Sequence, residues 1–354
     1  MAGTARKPKK TSARHRGAVT IADIAQLAGV SKMTVSRVIS APATVREETR
    51  ERVARIIAEL HYTPNRSARM LSGARQLRFG LLYNNPRSSY VIDFLMAAID
   101  QASLTDVQLI ARGCQLGEDD AVILDSLISS GIDAIILNPP LCDSPALLEL
   151  VGNSGIPGLL ISTDGSATDL SSISIDESAA ARQMTQHLLA LGHRRIGFVT
   201  GEPVLAASHA RKAGFLAALE AAGIALDPAL IVQGDFTYPS GRRAAEQLLG
   251  LAERPTAIFA SNDDMAAAAT MTARQHGLDV PSQLTICGFD DSWIATAIYP
   301  ELTTIRQPIA EMAKRGVTLL SEMVQADEND DRPLRHLRLP HELVVRQSDA
   351  APGA

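Results

Sequence analysis

Two periodicities alternate along the chain, and a change from one to the other near residue 76 separates two kinds of structure. Between Thr20 and Leu60 the apolar positions recur at helical spacing. Ile21, Ile24, Ala25 and Ala28 share one face of a first segment, and Val35, Val38 and Ile39 mark a second. Val53, Ile56, Ile57 and Leu60 mark a third, at i, i+3, i+4, i+7. Thr20, with Asp23 three residues later, starts the first helix in the manner of a capping box; Gly29 closes it, and Ser31 can cap the second. Two short helices joined by a turn containing Gly predict a helix-turn-helix, with the third helix completing one small all-α core. After Arg75 short apolar runs alternate with amphipathic stretches. The runs 79–83, 107–111, 134–137, 159–161, 196–199, 230–232, 257–260 and 284–289 read as strands, with helices such as 90–104, 177–191, 207–222 and 263–276 between them. Repeated βα alternation predicts parallel sheets with helices on both faces, and the count suits an α/β core of two doubly wound lobes.

Composition sharpens this division. The 354 residues are 46% apolar and 21% charged, enough for two or three compact units with a substantial core. No run approaches the ~18 apolar residues of a membrane helix. The basic N-terminus lacks the apolar segment of a secretory signal. Cys114, Cys142 and Cys287 form no CxxC pair and read as buried, reduced thiols, so a cytoplasmic location is expected. The net charge of −5 hides an asymmetry: residues 1–75 hold 15 Lys and Arg against 5 Asp and Glu, whereas the rest holds 19 against 34. Residues 1–18 read as a flexible basic tail, and the whole head as a surface facing a polyanion. In its second helix Lys32, Met33, Thr34, Ser36 and Arg37 point away from the apolar stripe. A recognition helix sets its N-terminal residues against base edges, where Lys32 and Arg37 reach guanine acceptors and Met33 packs on a thymine methyl.

In open α/β sheets ligands bind at the carboxyl ends of the strands. The polar residues there are Asn84-Asn85, Ser162-Thr163-Asp164, Asp235-Phe236, Ser261-Asn262-Asp263 and Asp290-Asp291. Asp164, Asn262 and Asp290 with Phe236 supply the carboxylates, amide and aromatic platform that a sugar or other polyol needs. The same residue types also serve as turn formers and helix caps, an alternative that weighs equally for Asp164. Phosphate-loop, zinc-protease, nucleophile-elbow and dinucleotide motifs are missing from the sequence. The eight histidines are scattered. No catalysis, metal or cofactor is therefore expected; a sugar-metabolising enzyme would leave the helix-turn-helix unexplained.

The segment from residue 20 to 38, through Val30-Ser31-Lys32-Met33-Thr34-Val35-Ser36-Arg37, closely resembles the DNA-binding signature of the LacI/GalR regulators. The likeness continues through Thr49-Arg50-Glu51-Arg52-Val53 to Tyr62-Thr63-Pro64-Asn65-Arg66-Ser67-Ala68-Arg69. It implies that Lys32, Met33 and Arg37 read bases in double-stranded operator DNA while Ser31, Thr34, Ser36 and Asn65 hold the backbone, with Thr20 at the head of the motif. It also implies a hinge helix over 65–75 in which Leu71, flanked by Ala68 and Met70, wedges into the minor groove. One departure is Arg46, where relatives carry a capping Ser; Thr44 could supply that cap. Further on, Leu191-Gly-His-Arg-Arg-Ile-Gly-Phe, Ser208-His-Ala-Arg-Lys-Ala-Gly-Phe, Ala260-Ser-Asn-Asp-Asp-Met-Ala and Gly288-Phe-Asp-Asp resemble the family's sensing core, which is similar to type I periplasmic sugar-binding proteins. The resemblance implies effector contacts from Arg211, Phe236, Asn262 and Asp290, beside Asn85 and Asp164 at the strand ends. The domains expected are a reader over 19–64, a hinge over 65–75 and a core over 76–346, with 347–354 as a flexible tail. Three crossings near 175, 304 and 328 divide the core into an N-lobe (76–174 plus 305–327) and a C-lobe (175–304 plus 328–346). The function implied is a homodimeric, sequence-specific repressor released from a pseudo-palindromic operator by a sugar-type inducer, without membrane contact. A co-repressor of purine type remains the alternative.

Overall fold

The computed structural model describes residues 21–40, 45–60, 76–114, 120–163, 165, 168–326 and 334–353. The chain divides into two compact units between Arg75 and Gln76.

The first unit holds α1 (Ile21–Ala28), α2 (Lys32–Ser40) and α3 (Glu47–Glu59). Their apolar stripes meet in one cluster: Ile24, Ala25, Ala28, Val35, Val38 and Val53 are buried, with Ile21, Val30, Val45, Ile56, Ile57 and Leu60 packed around them. Gly29 takes φ +63°, a conformation in which a Cβ would be strained. The turn there lets Val30 N–H reach Ala25 O and Gly29 N–H reach Gln26 O, the two bonds of a Schellman ending. Ser31 caps α2, its Oγ accepting from Thr34 N–H at 3.1 Å. At α3 the capping position falls to Arg46, whose carbonyl accepts from Thr49 and Arg50; Thr44 lies outside the described residues.

The second unit contains two sheets. The first is wholly parallel, in the order β11-β5-β4-β3-β1-β2. Its strands are β1 (Leu77–Tyr83), β2 (Val107–Gly113), β3 (Ala134–Leu137), β4 (Gly158–Ile161), β5 (Ser171–Ser174) and β11 (His336–Arg338). Alternate residues serve opposite faces: Phe79 and Leu81 join the cluster under α4 (Ser89–Leu104) and α12 (Ile309–Gln325). Leu82, Ile135 and Leu137 join the cluster under α5 (Asp120–Ser129) and α6 (Pro145–Ser154). The second sheet, β7-β6-β8-β9, is also parallel. It comprises β6 (Ile196–Thr200), β7 (Ile231–Gln233), β8 (Ala257–Ala260) and β9 (Thr285–Cys287). The helices α7 (Glu177–Ala190) and α8 (Ala206–Ala221) pack on one face, and α9 (Tyr238–Leu249) and α10 (Asp263–Gln275) on the other. A short α11 (Ile294–Ala297) follows β9. β10 (Thr304–Arg306) and β12 (Glu342–Val344) pair antiparallel where the chain passes between lobes.

Two expectations are corrected. The third crossing lies beyond Arg338 and not near 328, because β11 is hydrogen-bonded to β5 as the outer strand of the first sheet. The stretch from 347 to 353 is not a loose tail. Ser348 is fully buried, its carbonyl accepting from Ile286 N–H and its Oγ from Thr303 N–H, while Asp349 pairs with His187 at 2.6 Å. These bonds occupy backbone groups beside β9 that would otherwise be buried without partners. The three cysteines are buried.

Candidate functional sites

On α2 the inward positions Val35 and Val38 are buried, which turns Lys32, Met33 and Arg37 outward as exposed side chains, with Thr34 and Ser36 half-buried. Met33 is 66% exposed, an apolar side chain left in water beside two cations. A helix that presents cations, hydroxyls and one apolar group on a convex face, with its N-terminus leading, fits the edges of base pairs and the phosphates beside them. Ser31 Oγ is already engaged by the Thr34 backbone and lies 2.9 Å from the Thr34 hydroxyl. Thr20, Asn65, Ala68, Met70 and Leu71 lie outside the described residues.

In the second unit Asn85, Arg211, Phe236, Asn262 and Asp290 line one cleft between the lobes. Asp164 lies outside the described residues. The space, open mouth included, is about 760 Å³. The lobes touch at its rims. Ser89, opening α4, donates through N–H and Oγ to Asp264 of α10 at 3.2 and 2.9 Å. Across the other side, Ala206 N–H donates to Asp143 at 3.1 Å. No side chain of its own lobe caps α8 there, so the opposite lobe supplies the acceptor.

Arg211 is the centre of the site. Its Nε donates to Glu177 at 2.8 Å, Nη1 donates to Ser261 O, and Nη1 lies 3.6 Å from Asp290. The guanidinium rests 3.7 Å from the centroid of the Phe289 ring. Buried charges require such compensation, and two carboxylates with a carbonyl provide it. Asp290 sits at φ +110° and accepts from Gln307 Nε2 at 2.7 Å. Burial pushes its carboxyl up to about 7, against the pull of Arg211 and Gln307. Its neighbour Asp291 turns away to Arg346 at 2.5 Å and Arg306 at 2.7 Å. Asn262 is the N-cap of α10, with Oδ1 accepting from Met265 N–H and Nδ2 donating to Phe236 O, each at 3.0 Å. It is therefore a helix cap as well as a lining residue; its second amide hydrogen is what it can offer a ligand. Phe236, at φ +63°, faces Gly201, where a Cβ would overlap the ring. Asn85 Oδ1 accepts from Arg87 N–H in a turn, leaving its amide as the donor.

Several contributors were not among the expected effector contacts, although Ser162, Asp235 and Asp263 stood among the polar residues at strand ends. Tyr90 Oη lies 2.7 Å from Ser162 Oγ in the cleft wall, and burial raises the Tyr90 hydroxyl above its ordinary range. Glu177 holds Arg211 without lining the cleft itself. Asp263 accepts from Ser292 N–H at 2.9 Å and Thr304 Oγ1 at 2.6 Å, fixing the turn that carries Asp290. A Cβ at Gly288 would strike that carboxylate. Glu202 and Asp235 complete the acidic rim. No sequence period marks Glu177 or Asp263; both support from behind. Among the described residues no group of His, Cys, Asp and Glu could hold a metal ion, and no helix is long and apolar enough to cross a membrane.

Residues 20–65 match the family model for bacterial regulatory proteins of the lacI family, and residues 185–348 match that of a periplasmic binding protein-like domain. Catabolite control protein A of Priestia megaterium is 32% identical over 93% of this chain and 99% of its own length. Among solved structures, a transcriptional regulator CelR–cellobiose complex superposes with a TM-score of 0.70 at 31% identity, covering 93% of this chain and 99% of that one. The lac repressor dimer bound to operator and the anti-inducer ONPF gives 0.71 at 28%, covering 95% and 100%.

Proposed function

The chain belongs to the LacI family of bacterial regulatory proteins, a DNA-binding transcription regulator and not an enzyme, and from that premise we propose that it is a homodimeric repressor controlled by a sugar-type ligand. In this reading Lys32, Met33 and Arg37 contact base edges in the cytoplasm's nucleoid DNA, and Ser31, Thr34 and Ser36 contact its backbone. The observation that carries the sensing half is the convergence of Asn85, Arg211, Phe236, Asn262 and Asp290, from five separate loops and helices, on one cleft. Support for the dimer comes from α4, where Ile92, Met96 and Ile99 recur at i, i+4, i+7 and remain exposed. A two-fold dimer implies an inverted-repeat operator.

A ligand that bridges the lobes adds to the Ser89–Asp264 and Asp143–Ala206 contacts and so favours the lobe arrangement in which they are made. Operator affinity then changes by the same coupling free energy, typically ~1–3 kcal/mol. Selection from a random DNA pool should return an inverted repeat; an asymmetric site would overturn the dimer. Asp290→Ala should bind that operator but no longer respond to ligand, and a retained response would remove Asp290 from the site. A ligand that strengthens operator binding would identify co-repressor logic instead.

A further inference from the structure

The charge balance of the cleft narrows what can enter it, provided that the cleft is the sensing site proposed above. Four charged side chains line it among the described residues: Arg211, Asp290, Glu202 and Asp235. The one cation is already committed, to Glu177 at 2.8 Å and Asp290 at 3.6 Å, with Ser261 O on the same Nη1 and Phe289 against its face. What remains is negative. Asp235 accepts from Thr237 N–H at 3.0 Å and, among the described residues, has Arg243, 63% exposed and 3.5 Å away, as its counter-charge. Burial pushes the Asp235 carboxyl up, but the hydrogen bonds from Thr237 and Ser240 outweigh it, so the group stays below its usual value and charged. Burial, and then the charge of Asp235, pushes Glu202 up. Both carboxylates line the space a ligand would enter, and a further anion there would add like charge.

We propose that the cleft selects an uncharged, polyhydroxylated ligand and rejects its anionic derivatives, and that Glu202 and Asp235 set this discrimination. Hydroxyls suit the wall: carboxylates accept from them, the amides of Asn85 and Asn262 donate to them, and Phe236 covers an apolar sugar face. A carboxylate or phosphate meets no lining cation but Arg211, whose charge Glu177 and Asp290 already balance.

The test is a thermal-shift screen followed by calorimetry on the full-length protein. The panel contains glucose, galactose, ribose and cellobiose with the matching uronates and sugar phosphates. We expect a neutral member to bind, and its uronate or phosphate to bind roughly 100-fold more weakly or not at all. In Glu202→Gln the ratio of uronate to neutral affinity should rise, and in Glu202→Gln with Asp235→Asn it should rise further. A uronate or phosphate that binds as tightly as its neutral parent overturns the charge selection but leaves the sensing cleft standing. A ratio that does not move in either variant removes the two carboxylates from that role. If no member of the panel binds, the sugar-sensing reading falls, and this inference with it.

Discussion

The two surfaces described here are built on opposite terms. On α2, Lys32, Met33 and Arg37 stand in water, supported by a core of only a few buried side chains. In the cleft, Arg211, Asn262 and Asp290 are almost wholly buried and tied into the frame by hydrogen bonds, ion pairs and a ring contact. A reader meets its partner from outside and gains by keeping side chains uncommitted until the partner arrives. A sensor of a small, hydrated molecule gains by holding its polar groups in place beforehand, since ordering them on binding would cost affinity. Function and stability should therefore separate on the head and coincide in the cleft.

The strongest challenge to this contrast is Arg211→Ala. Removing the cation leaves Glu177 and Asp290 buried without compensation, so the core should lose about 3–5 kcal/mol, read as a lower thermal midpoint, along with its ligand response. A midpoint close to that of the parent would mean that the cleft is not built as described. On the head the expectation reverses. Arg37→Ala should lower discrimination among operator sequences by roughly 10- to 100-fold in binding assays. Its melting curve should move by less than about 0.5 kcal/mol. Ser31→Ala marks the limit of that separation, because that hydroxyl also caps α2: about 1 kcal/mol of head stability should be lost without any DNA present.

The burial of Asp290 also gives a pH dependence. Asp290 titrates near 7 in the folded protein against 3.8 ordinarily, so within that window the fold holds a proton that the unfolded chain has released. Its contribution to stability is present toward pH 4 and is lost as pH rises through 7. Asp263 and Asp264 are also raised by burial and slope the same way, so Asp290→Asn should flatten the fall in midpoint between pH 4 and pH 7 without abolishing it. An unchanged slope would place Asp290 outside this titration.

The contrast also explains what could be read from the sequence. The head's stripes were legible because one helix period governs each segment, and the same stripes define which residues face out. The cleft residues were legible through strand-end position together with family resemblance, and five of the six named lie where they line one space. What escaped was whatever depends on contacts distant along the chain. β5 is Ser-Ser-Ile-Ser, polar by composition yet buried throughout, since its neighbours in the sheet and not its own side chains make it a strand. The outer strand β11 is largely exposed and carries no apolar signal. Glu177 and Asp263 act only through groups they support, and Asn262 is both the cap of α10 and a residue lining the cleft.

The course of β11 has a consequence during synthesis. The head's three helices are complete once residue 59 has emerged, whereas the first sheet lacks its edge until Arg338. At ~5–20 residues per second that interval is about 15–60 s on the ribosome. The second lobe closes later still, because Ser348 and Asp349 fill its side. Each newly made molecule thus completes its three-helix head well before the core that follows it, and the core is closed only once Ser348 and Asp349 have emerged.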